Sequence, residues 1–330
     1  MLNILAVLLV FIVSFGVTLI ITPFIINRMH LRGITGKDMN KFDKPQIAEM
    51  GGIGVIFGFS IGIITSIFVS TYIGIIEINL TVFMAMFMTV ILIGFIGLVD
   101  DLIGWRKGIR QWQHALFPVF AALPLMAISV GSSYMSIPFI AIVNLGIFYS
   151  LIMIPLGITG ASNAFNMLAG MNGLEAGLGI LIISTILYFN LMAGNVEVIF
   201  FLIAMLAAII AFLKFNWFPA KIFPGDSLTL MLGATIATSV IVGNIEKIGV
   251  LLMALFFVEL GFKAKHKFQS HCFGLPQKDG TLKARPEGGS LTQWIMKQGS
   301  FTEKQVTGII LGIQGIICVS TIILINAGLV

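Results

Sequence analysis

The chain has 330 residues, 58% of them hydrophobic and only 10% charged, with a mean hydropathy of +1.06. A soluble domain carries about 25% charged residues, so the composition excludes an ordinary soluble protein and points to a polytopic membrane protein. The net charge of +5 is spread over short loops, which argues against nucleic acid as a partner and for anionic lipid headgroups or a polyanionic ligand.

Apolar runs of about 15 to 25 residues predict ten transmembrane helices in an all-α fold. In chain order they are Leu2 to Ile26, Gly51 to Ile76, Leu80 to Val99, Ala115 to Val130, Phe139 to Gly157, Leu174 to Ala193, Val196 to Leu213, Leu228 to Val242, Ile248 to Phe262 and Gln305 to Ala327. The first is too long, and lacks a small-residue cleavage site, to read as a removable signal peptide. Gly54, Gly58 and Gly62 recur every four residues in the second and read as a close helix-packing face. Residues 1–330 form a single membrane domain, and the largest extramembrane piece, Lys263 to Lys304, is a loop too small for a core of its own. Cys272 and Cys318 stand alone, so neither a disulfide framework nor a zinc site is expected.

Basic residues sort the loops into two faces. The segments after the first, third, seventh and ninth runs hold 18 of the 19 Lys and Arg residues, and the other side has only Lys247. The positive-inside rule makes the basic face cytoplasmic and places both termini outside. Strict alternation puts the loop after the fifth run, which has no Lys or Arg, on that face too.

Three polar clusters therefore meet at the cytoplasmic surface: Asp100-Asp101, the segment Asn163 to Gly177, and Asp226. Acidic groups at membrane depth usually serve transport or catalysis. Adjacent carboxylates repel unless a cation lies close, so Asp100-Asp101 implies a metal or a basic partner, although a solvated helix end is the plainer reading. Asp226, in Phe223-Pro224-Gly225-Asp226-Ser227, also fits a simple N-cap. Asn163 and Asn166 are three apart and share a helical face; Gly170 and Gly173 then let the backbone approach a ligand. Asn supplies a neutral metal ligand and a paired donor and acceptor suited to a nucleobase.

The run Asn163-Ala-Phe-Asn166-Met-Leu-Ala-Gly170-Met-Asn172-Gly-Leu-Glu175-Ala-Gly177 resembles the signature of the eukaryotic and archaeal UDP-N-acetylglucosamine:dolichyl-phosphate N-acetylglucosamine-1-phosphate transferases. These belong to the polyprenyl-phosphate N-acetylhexosamine-1-phosphate transferase superfamily. The resemblance extends to Gly36-Lys-Asp38-Met-Asn40-Lys41, Ile47-Ala-Glu49-Met-Gly51, Val99-Asp100-Asp101-Leu and Phe223-Pro-Gly225-Asp226-Ser227, and so covers most of the chain. It implies a magnesium-dependent reaction, with manganese as an alternative, that joins the phosphate of a membrane polyprenol to the sugar-phosphate half of a UDP-sugar. Asn166 and Asp226 would hold the metal, and Asp100 and Asp101 would lie at the reaction centre. Gly170 and Asn172 would hold the uracil, Glu49 the nucleotide end, and Lys41, Asn163 and Glu175 would join them in binding substrate.

Two departures from the family pattern carry consequences. An insertion after Asp101 leaves Lys107, Arg110 or His114 to supply a cation for the phosphates, with Lys107 favoured. The last loop lacks the eukaryotic His-Arg-Ile-Pro-Arg element, so His271, Lys283 and Arg285 are its substitutes. A secondary transporter for an anionic metabolite is the competing reading, since Gly and Asn breaks in membrane helices can form an alternating-access site. Sugar identity and homodimer formation stay open.

Overall fold

Helix α1 (Ile4–Arg32) starts where the Asn3 side chain accepts a hydrogen bond from Leu5 N–H at 3.0 Å and stops at Gly33, which is left-handed at φ +67°. Both ends thus follow from residue type: a short polar acceptor for the first free N–H groups and a glycine where the chain must reverse. The computed structural model describes residues 3–104, 111–137 and 141–329. Lys107 and Arg110 lie outside the described residues, and so does the side chain of His114.

A hairpin of β1 (Thr35–Lys37) and β2 (Gln46–Ala48) leads into α2 (Gly52–Phe68), which a π-helical turn extends to Ile73. Then come α3 (Leu80–Gly104), α4 (Gln111–Ala121), α5 (Leu123–Ala127) and a second antiparallel hairpin, β3 (Tyr134–Ile137) with β4 (Ala141–Asn144). A π turn at Tyr149–Met153 opens α6 (Ile154–Met167), followed by α7 (Leu174–Ala193), α8 (Val196–Asn216), α9 (Asp226–Val242), α10 (Glu246–Leu252) and α11 (Ala254–Lys265). The last loop folds as β5 (Leu275–Pro276), β6 (Thr281–Lys283), α12 (Leu291–Met296) and β7 (Phe301–Thr302), the strands forming one small antiparallel sheet, before α13 (Glu303–Asn326).

Among the described residues six helices are long and apolar enough to cross a membrane, α1, α2 with its π turn, α3, α7, α8 and α13; a stretch through α4 and α5 and helix α9 are shorter apolar helices. The protein is thus an integral membrane protein, mostly helical, with short strands that an all-α reading did not foresee. Two expected spans change shape. The fifth shifts toward the C-terminus, its helical part running from Tyr149 to Met167, and the ninth breaks at Met253 into α10 and α11.

Helix α9 is the axis of the fold. Every residue from Ser227 to Ile241 is buried, as expected of a helix apolar all round, and α2, α3, α6, α7, α8 and α10 all touch it. At about 1.5 Å per residue its 17 residues span only about 25 Å, so its first turn ends within reach of the ends of α3 and α6. The Gly54, Gly58 and Gly62 face packs closely as expected: a Cβ at Gly54 would lie 2.7 Å from Thr22 Oγ1 of α1, and one at Gly62 2.8 Å from Ala204 Cβ of α8.

Candidate active site

The chain Phe223-Pro224-Gly225 enters α9 along the hairpin strand β2. Phe223 N–H donates to the Ala48 carbonyl at 2.8 Å, while Gly51 and Gly52 N–H donate to the Phe223 and Pro224 carbonyls, each at 2.9 Å. Gly225 then takes φ +71° and ψ 170°, a conformation costly for any residue with a Cβ; a Cβ there would also stand 2.5 Å from Asp101 Oδ2.

Asp226 is the first residue of α9 and not its cap, which corrects the simple N-cap reading. The cap comes from Asp101, 125 residues earlier at the end of α3. Its Oδ1 accepts from Asp226 N–H at 2.7 Å, and its Oδ2 accepts from Ser227 N–H at 3.2 Å and Ser227 Oγ at 2.7 Å. A carboxylate here satisfies the free amides and the positive end of the helix dipole together. One turn on, Thr229 Oγ donates to Asn166 Oδ1 at 3.0 Å. The acid pair, the Asn-rich segment and Asp226 thus converge. Asp100 is itself buried, 6% exposed.

A polar cavity of about 250 Å3 opens at this junction. Its walls include Glu49, Asn166, Gly170, Asn172, Glu175 and Asp226, so six of the expected residues come together. Asp101 instead borders a neighbouring cleft with Arg32 and Leu102. Burial pushes the Glu49 carboxyl above its usual range, with the negative charge of Asp101 adding to the effect. Glu175 Oε1 accepts from Gly170 N–H at 2.6 Å, pinning the glycine turn, while its buried Oε2 has no hydrogen-bond partner.

Other expected residues do not line the cavity. Lys41 does not line the cavity: its ammonium pairs with Glu303 and with Asp38 at 3.2 Å and sits 4.2 Å from the centre of the Phe218 ring. Asn163 Nδ2 donates to the Thr159 carbonyl at 2.8 Å, within its own helix. His271 is exposed, and Arg285 Nε donates to the Phe273 carbonyl at 3.0 Å. Phe273 is the residue of that loop that reaches the cavity. The loop is anchored by the buried pair Glu259 and Lys263, 3.6 Å apart, which bind Leu291 N–H at 2.7 Å and the Ser270 carbonyl at 2.8 Å. Burial raises the Cys272 thiol pKa, against the lowering pull of Lys263, so the thiol stays protonated.

Sequence reasoning did not single out Lys37, Asp38, Asn216 or Thr229, all on the cavity wall, nor Asn40 and Glu303 behind it. Lys37 is the only Lys or Arg lining the cavity among the described residues. Position within the Gly36-to-Lys41 motif was a signal for Lys37, Asp38 and Asn40; none marked Glu303, which joins the site only through folding.

A second, apolar cavity of about 290 Å3 runs between α6, α9, α10 and α11, lined by Gly157, Gly160, Ala161 and Ala164 on α6 and by Val240, Met253 and Phe256 opposite. Helix α6 therefore borders the groove with one stretch and carries Asn166 into the polar cavity two residues further on.

These features define a membrane-embedded protein with a polar, oxygen-lined site at the start of α9 and a separate apolar groove bordered by α6. Residues 83–244 match the family model described as glycosyl transferase family 4. A Saccharolobus solfataricus protein, named provisionally as a UDP-N-acetylglucosamine–dolichyl-phosphate N-acetylglucosaminephosphotransferase, is 39% identical over 98% of both chains. A Sulfolobus acidocaldarius protein with the same provisional name is 36% identical over 94% of both. The Schizosaccharomyces pombe UDP-N-acetylglucosamine–dolichyl-phosphate N-acetylglucosaminephosphotransferase is 27% identical, covering 69% of this chain and 58% of its own. The chain belongs to this glycosyl transferase family.

Proposed function

We propose that the protein transfers N-acetylglucosamine 1-phosphate from UDP-N-acetylglucosamine to a polyprenyl or dolichyl phosphate. An oxygen of the lipid phosphate attacks the β-phosphorus of the UDP-sugar. The bond from that phosphorus to the bridging oxygen breaks, and UMP leaves with the oxygen, so the product is a lipid-linked diphosphate sugar. The observation that carries this reading is the polar cavity at the start of α9, walled by Glu49, Asn166, Asn172, Glu175 and Asp226 as a compartment for a nucleotide sugar; the separate apolar groove on another face of α6 is the compartment assigned to the lipid chain. Membership in a glycosyl transferase family weighs against the transporter reading.

The donor set suits magnesium. Asn166 Oδ1 and the Asp226 carboxylate are hard oxygen ligands, and among the described residues no three His, Cys, Asp or Glu side chains cluster to form a protein-only cage. That combination fits an ion completed by substrate phosphates and water. Asn166 and Asp226 would hold the ion, which when bound neutralises charge developing on the phosphoryl oxygens. Asp101 fixes Asp226 by capping α9, Lys37 offsets diphosphate charge, and Asp100 stands beside Asp101 at the reaction centre. Gly170 and Asn172 hold the uracil, with Glu49 at the nucleotide end.

Ten crossings with both termini outside follow if the short helices, α6 with its π turn, and α10 with α11 also cross. The basic residues, 18 of 19 on one face, then set the site in the cytoplasm, and the archaeal relatives favour an archaeal plasma membrane.

Purified protein given magnesium, UDP-N-acetylglucosamine and a polyprenyl phosphate is expected to release UMP only when all three are present. UMP release without the lipid, or none with every component supplied, would overturn the assignment.

A further inference from the structure

Asn172 is 4% exposed, yet it lines the polar cavity. Its two polar ends are not equivalent. Nδ2 donates to Asp38 Oδ2 at 3.2 Å, and the backbone N–H donates to Glu303 Oε1 at 2.8 Å. A carboxylate can only accept, so the amide nitrogen must face Asp38. The opposite atom, Oδ1, accepts no hydrogen bond from the described residues, and it is not among their sealed, unsatisfied side-chain atoms. It is the acceptor left for whatever enters the cavity.

Asp38 is held as firmly as the group it orients. It is 3% exposed, its Oδ1 accepts from Asn40 N–H at 3.1 Å, and Lys41 pairs with its Oδ2 at 3.2 Å. Lys41 also pairs with Glu303, which is 2% exposed. Asn40 then ties the assembly to both neighbouring loops: its Nδ2 donates to the Gly170 carbonyl at 2.9 Å, and its Oδ1 accepts from Gly274 N–H at 3.0 Å. The amide of Asn172 can therefore turn over only if a buried carboxylate loses a donor and gains an opposing lone pair, which is unfavourable in such surroundings.

We infer that Asp38 is a specificity-determining residue that acts through Asn172: by engaging the amide nitrogen it presents Oδ1 to the base, so the site takes uridine nucleotides and rejects cytidine nucleotides. The inference rests on the nucleotide-binding reading above. Uracil offers an N3–H donor at the middle of its pairing edge, where cytosine has a bare acceptor nitrogen. An acceptor fixed on the protein matches the first and opposes the second, and a site built around one such bond commonly discriminates by a factor of roughly ten to a hundred. Asp38 is thus a positioning residue, and Glu303 supports it by fixing the backbone of Asn172.

The test measures dissociation constants of UMP and CMP for the purified full-length chain and two variants. The parent is expected to favour UMP at least tenfold, an estimate from the same hydrogen-bond discrimination. In Asp38→Asn the new amide can donate to Asn172 Oδ1 and let the side chain reverse, so the preference should shrink to about threefold or less. Asp38→Glu retains the acceptor and should retain the preference even if both nucleotides bind more weakly. A measurement independent of variant folding uses the parent alone: 3-methyluridine monophosphate, which has no N3–H, should bind at least about tenfold more weakly than UMP. An unchanged UMP-to-CMP ratio in folded Asp38→Asn, or 3-methyluridine monophosphate binding as well as UMP, overturns the inference. UMP release by the parent from UDP-N-acetylglucosamine, scored alongside, shows whether the functional reading stands when the inference falls.

Discussion

Removing the carboxylate of Asp101 is the perturbation whose consequences the structure fixes most closely. Asp101→Ala leaves Asp226 N–H, Ser227 N–H and Ser227 Oγ without their acceptor, and Ser227 is fully buried. A buried donor left unpaired costs about 1–3 kcal/mol, and a lost helix cap about 0.5–2 kcal/mol. These overlap, and water can reach the half-buried Asp101 position, so the total should be about 3 kcal/mol. For a chain of this size that corresponds to a melting temperature lower by about 5 °C. Asp101→Asn keeps one acceptor oxygen and should lose about half as much. Because the same turn carries Asp226, loosening it should also weaken the metal site, and outer-shell changes of this kind commonly cost 10- to 100-fold in metal affinity. The assay is UMP release against magnesium concentration, paired with thermal unfolding in detergent. Asp101→Ala should show a higher half-saturating magnesium concentration, partial recovery at high magnesium, and a lower melting temperature. Unchanged melting together with an unchanged magnesium dependence would refute the capping argument.

Asp226→Ala should abolish turnover at every magnesium concentration, with a smaller change in melting than Asp101→Ala; near-parental UMP release at low magnesium would dismiss Asp226 as a ligand. The raised Glu49 carboxyl sets the sign of a pH effect: stability from that group is present below its unfolded pKa of about 4.3 and is lost as pH rises through the folded value. Ligand-free Glu49→Gln should therefore melt above the parent at pH 7, with the gap closing on acidification toward pH 4; a gap that widens in acid would reverse the assignment. A Cβ at Gly160 would meet no atom within 4 Å, so Gly160→Phe can place its ring in the groove without distorting α6. The KM for polyprenyl phosphate should rise at least about fivefold while that for the UDP-sugar holds, and equal changes in both would count against a lipid seat there.

What the sequence made legible was chemistry held in contiguous motifs. Asn166, Gly170, Asn172, Glu49 and Asp226 could be grouped because each lies in a short, distinctive run, and the fold brings them to one cavity. Pairing across long stretches of chain was not legible. Lys41, a basic residue in a recognisable motif, reads as a substrate ligand, yet Glu303, 262 residues away, claims its ammonium. Asp226 resembles a cap because a short acid before an apolar run usually is one; here a residue from α3 fills that role, and Gly225 makes room for it. The spans show the same limit. Hydropathy located the long apolar helices, but α6 carries Gly157, Thr159, Gly160 and Asn163, which lower its hydropathy although the helix packs against α4, α9 and α11. The break at Met253 leaves no trace in an apolar run.

Whether a sugar phosphate or a bare sugar passes to the lipid can be read from UDP-N-acetylglucosamine labelled on its β-phosphorus. With magnesium, polyprenyl phosphate and the purified protein, the label is expected to move into the organic-soluble lipid while unlabelled UMP appears in equal amount. Label retained in the nucleotide as UDP, with the sugar alone passing to the lipid, would contradict sugar-phosphate transfer.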